Sequence, residues 1–480
     1  MKKFFAAFSM FFIPQILWAE SAPFCVANES GQKVYWTLLS AKKKAQLFSY
    51  RSLKSDGVYE CAKISDSAQL QYFATNGKSA TVSVGPRTSL VLSLKTMSSL
   101  RATNLSTNES APQIVGVETS VTALIGAFAQ GPLNEPTMVH GMGDLHRIFG
   151  QSSAARTLNA HAELFFTNGG EKLVIVRIPA ANKAQDFIGD RNDKTGLYAL
   201  EKLDIFNLLI IPEAAQLPQD QLERVYSAAL AYVAEKSALA ILDPPLDSIK
   251  EVSPGVPAVV SWLEGSKFRR DYASYGALYF PGLNVVESTT GAVAAVGASG
   301  AMAGLYAFSD SDFDVWTTPA GLSFSLSDVV SLNYLVTDQI QGVLNPLGIN
   351  AIRSFPIDGI YPFGGRTLER DSKFSYLSVR RLDNYLRLSL QYGLQWAAYE
   401  DNTSELQQKV TAVVRTFLTN LWGEGAFVGF KTDEAFYVTC DATNNPEQSS
   451  TGRLNVRIGY APIYAGDFNV IDLSIEQESY

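Results

Sequence analysis

Three cysteines and three histidines in 480 residues leave little material for thiol or metal chemistry. His140, His146 and His161 lie in one short stretch, and no Cys or carboxylate completes a zinc-like ligand set around them. A serine hydrolase needs a nucleophile, a base, an orienting acid and an oxyanion hole. The chain has no G-x-S-x-G elbow, and His140-Gly141 alone nominates no base. Residues 291–300 (GAVAAVGASG) are rich in glycine but lack the lysine and spacing of a phosphate loop. Residues 126–131 lack dinucleotide spacing and do not open a helix. Asp310, Asp312, Asp314, Glu400 and Asp401 read as exposed loop acids. These absences predict no catalytic residue, no metal ligand and no cofactor, and hence no enzyme.

Long apolar runs are also missing beyond the N-terminal residues, so no later segment reads as a membrane span. What remains is ordinary for folded protein, with 46% hydrophobic, 18% charged and 11% aromatic residues. The length suits two to four domains. A net charge of −8 argues against general nucleic-acid binding.

The charge is unevenly spread. Residues 20–105 carry 11 Lys/Arg against 5 Asp/Glu, whereas residues 106–480 carry 26 against 42. A basic front on an acidic body suggests two units with different partners, or charge matching between them or between neighbouring molecules. Residues 1–19 read as a secretory signal: Lys2 and Lys3, an apolar stretch from Phe4 to Trp18, then Ala19 at a cleavage-like position. Export to a periplasm or extracellular space would favour a disulfide between Cys25 and Cys61, the alternative being two buried thiols. Cys440, in the run AFYVTC, reads as a packed core residue.

Residues 20–97 contain short strand-like runs at 34–39, 46–50, 58–62, 70–74, 80–84 and 89–94, the pattern of a small antiparallel sandwich or barrel. Residues 98–111 are polar and aperiodic, as a linker is. Continuous apolar runs then appear at 173–178, 208–211 and 239–242, as in strands covered on both faces. Between the last two, residues 220–236 place Leu222, Val225, Tyr226, Ala229 and Val233 on one helical stripe. Strand, helix, strand implies a parallel pair with a right-handed crossover. Helices are predicted at 376–396 and at 404–422, the second with Ser404 as start cap. Strands follow at 435–440, 453–460 and 468–475.

Residues 336–368 (VTDQIQGVLNPLGINAIRSFPIDGIYPFGGRTL) are apolar segments punctuated by Gly, Pro and Asn, with Arg353 and Arg366 as fixed charges. Around them stand, in order, VGVETSVTALIGAFAQGPLNEPT (115–137), FFTNGG (165–170), AILDPP (240–245), YGALYFPGL (275–283) and VWTTPAG (315–321). SYLSVRRLDNYL (375–386), CDATNN (440–445) and GYAP (459–462) follow. This ordered set resembles the contractile phage tail sheath family, the sheath proteins of phages and phage-derived injection systems. The resemblance runs from about residue 114 to 472. Phe363 stands where the family has Trp, Thr317 where it has Lys, and the signal and front domain are additions to it.

The resemblance implies a multidomain α/β and α+β chain: a central subtilisin-like α/β sheath domain (114–368), an α+β C-terminal domain (369–480), and an added all-β N-terminal domain (20–97) joined by a linker or arm (98–113). It implies a structural subunit that polymerises as stacked helical rings around an inner tail tube protein, next to baseplate proteins, in a virion tail or phage-like particle. Neighbours in this family lend strands to one another. The candidate arms are residues 107–117 and 467–479. In the second, Ile471, Leu473 and Ile475 alternate with polar residues as a half-buried strand does. Arg353, Arg366, Arg380 and Arg381 are candidates for ion pairs that join domains or subunits. An exported sheath-like protein forming non-contractile filaments or coats is the alternative, and a secreted hydrolase a more distant one.

Overall fold

The computed structural model describes residues 112–477, apart from 152–154, 288–289, 356–358, 371, 447–451 and 464–467, together with the backbone of seven strands between residues 22 and 92. The chain divides into two compact units, Met1–Ala111 and Pro112–Tyr480. The expected signal, the expected strand at 46–50 and most of the expected linker lie outside the described residues.

In the first unit the strands form two sheets. One runs Glu60–Ile64, Ala22–Asn28, Ser89–Leu92; the other runs Arg51–Leu53, Val34–Ser40, Ala68–Ala74, Ser79–Val84. Ala22–Asn28 and Glu60–Ile64 are antiparallel, and their register sets positions 25 and 61 directly opposite each other.

The second unit is built on an eight-stranded sheet. Its order is Gly359–Phe363, Ile349–Phe355, Gly276–Phe280, Leu239–Leu242, Leu208–Ile210, Thr122–Gly126, Leu173–Arg177, Thr137–Val139. The six inner strands are mutually parallel; the two outer ones are antiparallel to their neighbours. Alternate residues of each inner strand enter opposite cores. Ala123, Val174, Leu209, Ala240 and Leu278 face one cluster with the Gln219–Glu235 helix. Leu124, Ile175, Ile210, Ile241 and Tyr279 face the other, with the Arg156–Thr167 and Ser299–Asp312 helices. Strands covered on both sides must be apolar throughout, which is why their sequences are unbroken hydrophobic runs.

The glycine-rich stretch at 291–300 forms a largely exposed strand, Val293–Val296, and becomes close-packed only where it enters the Ser299–Asp312 helix. A Cβ at Gly300 would lie 2.3 Å from the His161 carbonyl oxygen, and one at Gly304 would lie 2.2 Å from that of Phe165. Only glycine lets these two helices touch backbone to backbone.

A third core fills the C-terminal region, between the Leu377–Gly393 and Ser404–Gly423 helices and a sheet of Phe436–Thr439, Arg453–Tyr460 and Asn469–Glu476. The cap of the second helix is Thr403 rather than the expected Ser404. Its hydroxyl accepts the Leu406 backbone N–H at 3.2 Å. Cys440 is buried in this core, and burial pushes its thiol up to about 11. Among the described residues no helix is long and apolar enough to cross a membrane.

Candidate functional site

The Leu377–Gly393 helix carries charges on a buried face. Arg381 grips Asp310 with two nitrogens, each at 2.6 Å, and donates to the Thr119 carbonyl at 3.1 Å. Both side chains of this pair are only 4% exposed. Arg380 lies between the rings of Tyr275 (4.0 Å) and Phe374 (3.7 Å), and donates to Ser274 and to Asp383, each at 2.9 Å. Asp383 also accepts from Arg387 at 2.7 Å and from the Tyr460 hydroxyl at 2.8 Å. Asn384 donates to the Ala238 carbonyl at 3.0 Å. One helix is thereby fastened to the α/β sheet on one side and to the C-terminal sheet on the other. Arg380 and Arg381 make all of these contacts within the single chain. The geometry corrects Asp310, expected as a loop acid: it is on the Ser299–Asp312 helix and buried against Arg381.

Arg353 and Arg366 are placed differently. Arg353 pairs with Asp338 at 2.7 Å, but Asp338 is 92% exposed. The guanidinium also lies 5.0 Å from the ring of Phe355 and 5.6 Å from that of Phe363. Arg366 is 5.1 Å from the Tyr376 ring, and its backbone is clasped by the Asn350 amide on both N–H and C=O.

The Asn469–Glu476 strand pairs with Arg453–Tyr460 through all eight residues, antiparallel and unbroken, and forms one margin of its three-stranded sheet. Ile471 is fully buried, and Leu473 and Ile475 pack half-buried against the C-terminal core. Val470, Asp472, Ser474 and Glu476 are exposed. The alternation is as expected. In the single chain, residues 469–476 of the second candidate arm are paired to the chain's own sheet and leave an outer backbone edge. The first candidate arm is described from residue 112 onward. It crosses the Leu377–Gly393 helix, with Ile114 against Gly393 and the Val117 N–H donating to Ser389 at 3.1 Å.

A third grouping is one that the sequence did not announce. His161, Asp243 and Ser299 come from three distant segments and meet in the interior, all almost completely buried. The order is wrong for a hydrolase. Ser299 donates to Asp243 at 2.5 Å, and the His161 Nδ1 accepts the Gly300 N–H at 3.1 Å. The serine proton thus points at the acid, and the ring nitrogen nearest the hydroxyl is already engaged. Burial holds the imidazole below its ordinary value, against an opposing pull from Asp243. A neutral, inaccessible histidine fixes the start of the Ser299–Asp312 helix; it does not activate a nucleophile.

Residues 369–476 match the family described as the phage tail sheath C-terminal domain. A prophage major tail sheath protein of Pseudomonas aeruginosa is 26% identical over 352 residues, covering 70% of this chain and 85% of that one. The tail sheath protein of Vibrio phage KVP40 is 29% identical over 152 residues, 31% of this chain and 22% of that one. The contracted helical sheath of the anti-feeding prophage shares the fold with a TM-score of 0.60 at 23% identity, across 76% of this chain and 95% of the other. The sheath tail protein of Listeria innocua shares it at 0.51 and 9%, across 76% and 97%. Residues 369–476 thus resemble the phage tail sheath C-terminal domain, and the chain as a whole is similar to tail sheath proteins of a prophage and a phage.

Proposed function

We propose that this chain is the structural subunit of a contractile sheath, which polymerises into a helical tube through its backbone edges and drives an inner tube when it contracts. The observation that carries the reading is the Asn469–Glu476 strand: one side paired, one face covered, the outer edge unpaired by any described strand. Such an edge accepts a strand from another chain by main-chain hydrogen bonding. A head-to-tail contact of this kind that does not close on itself generates a helix.

Within this reading the eight-stranded sheet and its helices form a subtilisin-like domain that serves as scaffold, without the protease chemistry. Residues 20–97 form a small all-β domain, 98–113 a linker, and 114–368 and 369–480 the sheath core and C-terminal domain. Inner tube and baseplate proteins are the external partners. Arg380 and Arg381 keep the core and C-terminal domains moving as one body, while Arg353 and Arg366 tie down the loops of the signature segment.

The second reading, an exported sheath-like protein that forms filaments or coats, is favoured by one observation. Positions 25 and 61 are direct partners across antiparallel strands. Opposed Cα atoms there are spaced within the range a disulfide spans. Intact mass of the exported chain reads signal cleavage and bridge formation together.

Electron microscopy and sedimentation of the purified chain test polymerisation. Lysines at the exposed positions Val470 and Ser474 place charge along the outer edge. The variant Val470→Lys/Ser474→Lys is expected to melt like the parent and to assemble poorly. Tubes of normal length and yield from that variant would refute the edge assignment.

A further inference from the structure

The Ser299–Asp312 helix is held at both ends by buried groups from other segments. Ala298, at its start, supplies no side-chain cap. Buried N–H groups at a helix start need partners, and here they are borrowed. The Ser299 N–H donates to Asp243 at 2.9 Å, and the Gly300 N–H donates to His161 Nδ1 at 3.1 Å. Near the other end, Asp310 grips Arg381 of the Leu377–Gly393 helix. Between them, Gly300 and Gly304 lie directly on the backbone of the Arg156–Thr167 helix. One rigid rod of 14 residues thus runs from the imidazole to the junction with the C-terminal region.

An N–H can only donate, so His161 Nδ1 carries a lone pair. A second ring proton turns that acceptor into a donor facing the Gly300 N–H. It also sets a cation at the positive end of a helix, in a side chain 1% exposed. Asp243, at the end of the Leu239–Leu242 strand, is the charge that favours the imidazolium. Its oxygens already accept the Ser299 N–H and hydroxyl. The Ser299–Asp312 helix brings Tyr306, bonded to Tyr279, and its acids Asp310 and Asp312 at the far end. The Val293–Val296 strand brings no titratable group. The Pro212–Gln216 turn brings Glu213, and the Met142–Phe149 helix brings Asp144, His146 and Arg147. Arg156 and Glu163 share the imidazole's own helix. Among all these described groups, Asp243 is the one whose charge acts on the ring.

We infer that His161 is an acid-released latch: its protonation frees the start of the Ser299–Asp312 helix, and the loosened helix relaxes the grip of Asp310 on Arg381. Burial holds the imidazole below its ordinary value of 6.5, so the opened state takes up a proton more readily than the closed one. The latch is therefore fully set above 6.5 and is lost as pH falls through the depressed value of the folded chain. It acts within one chain and does not rest on polymerisation.

Hydrogen exchange of the full chain, read by mass spectrometry as protection factors at about pH 8 and about pH 5, spans the histidine range. Protection factors divide out the intrinsic pH dependence of exchange. In the parent, acid is expected to lower protection of the Ser299–Asp312 helix by about tenfold or more, and that of the Leu377–Gly393 helix with it. The Gln219–Glu235 helix, in the core on the other face of the sheet, is expected to hold. His161→Asn keeps an acceptor in place of Nδ1 and takes no proton, so the acid loss is expected to vanish from both helices. Equal loss in all three helices of the parent, no loss in any, or a loss undiminished in His161→Asn overturns the latch. Loss confined to the Ser299–Asp312 helix overturns its transmission to the junction. If His161→Asn does not fold, the comparison of the three helices in the parent still decides.

Discussion

Two ion pairs in this chain have nearly the same geometry and opposite consequences. Arg381 and Asp310 meet at 2.6 Å and are 4% exposed on both sides. Arg457 and Asp472 meet at 2.7 Å on the edge-strand sheet and are 57% and 62% exposed. Distance does not separate them; water does. The first pair lost its hydration when the C-terminal region docked, so neither partner can be removed without stranding the other. The second keeps its solvent and is weakened by salt. One region is committed to a single arrangement, and the other holds its edge strand by backbone pairing and one apolar face, leaving its outer side available.

The sharpest way to break the contrast is at the junction. Asp310→Ala leaves the buried Arg381 cation without its partner. Loss of one partner of a buried pair costs about 3–5 kcal/mol. Denaturant unfolding is expected to show that loss, and a change smaller than that of a surface substitution would mean that the two regions dock without this pair. The next effect is smaller and lies on the edge strand itself. Ile471 is fully buried and Val470, its neighbour, is exposed. Ile471→Ala is expected to cost about 2–4 kcal/mol, the range for a buried aliphatic truncation. Val470→Ala is expected to change stability little. Equal losses at the two sites would mean that the strand leaves its sheet in solution.

Much of this arrangement was legible in the sequence. The runs at 173–178, 208–211 and 239–242 announced strands buried on both faces, and the structure has strands at Leu173–Arg177, Leu208–Ile210 and Leu239–Leu242. The alternation in 469–476 announced a half-buried strand, but alternation cannot say whether the covering sheet belongs to the same chain. That depends on a pairing partner, Arg453–Tyr460, whose own pattern is equally compatible with either. Asp310 was misread because acids default to the surface. The signal that could have placed it is spacing: Met302, Tyr306 and Asp310 stand four apart on one helical face, and the first two are buried. Arg381 likewise shares a stripe with Leu377, Asn384 and Leu388. A charge on an apolar stripe predicts a buried partner. The grouping of His161, Asp243 and Ser299 had no such signal, because three segments far apart in sequence meet only through the stacking of helices on the sheet.

The smallest expected effect sharpens the comparison from the exposed side. Asp472 lowers no water-excluded cost when it pairs with Arg457, since both remain hydrated. Its removal leaves Arg457 free to be solvated, and the eight-residue pairing with Arg453–Tyr460 does not depend on the side chain. Asp472→Ala is therefore expected to leave the melting temperature unchanged at high salt and to lower it slightly at low salt, where an exposed pair is least screened. A loss that persists undiminished at 1 M salt, where the screening length falls to roughly 3 Å, would show that this strand is held by its charges. The division between a committed junction and an edge left available would then have to be redrawn.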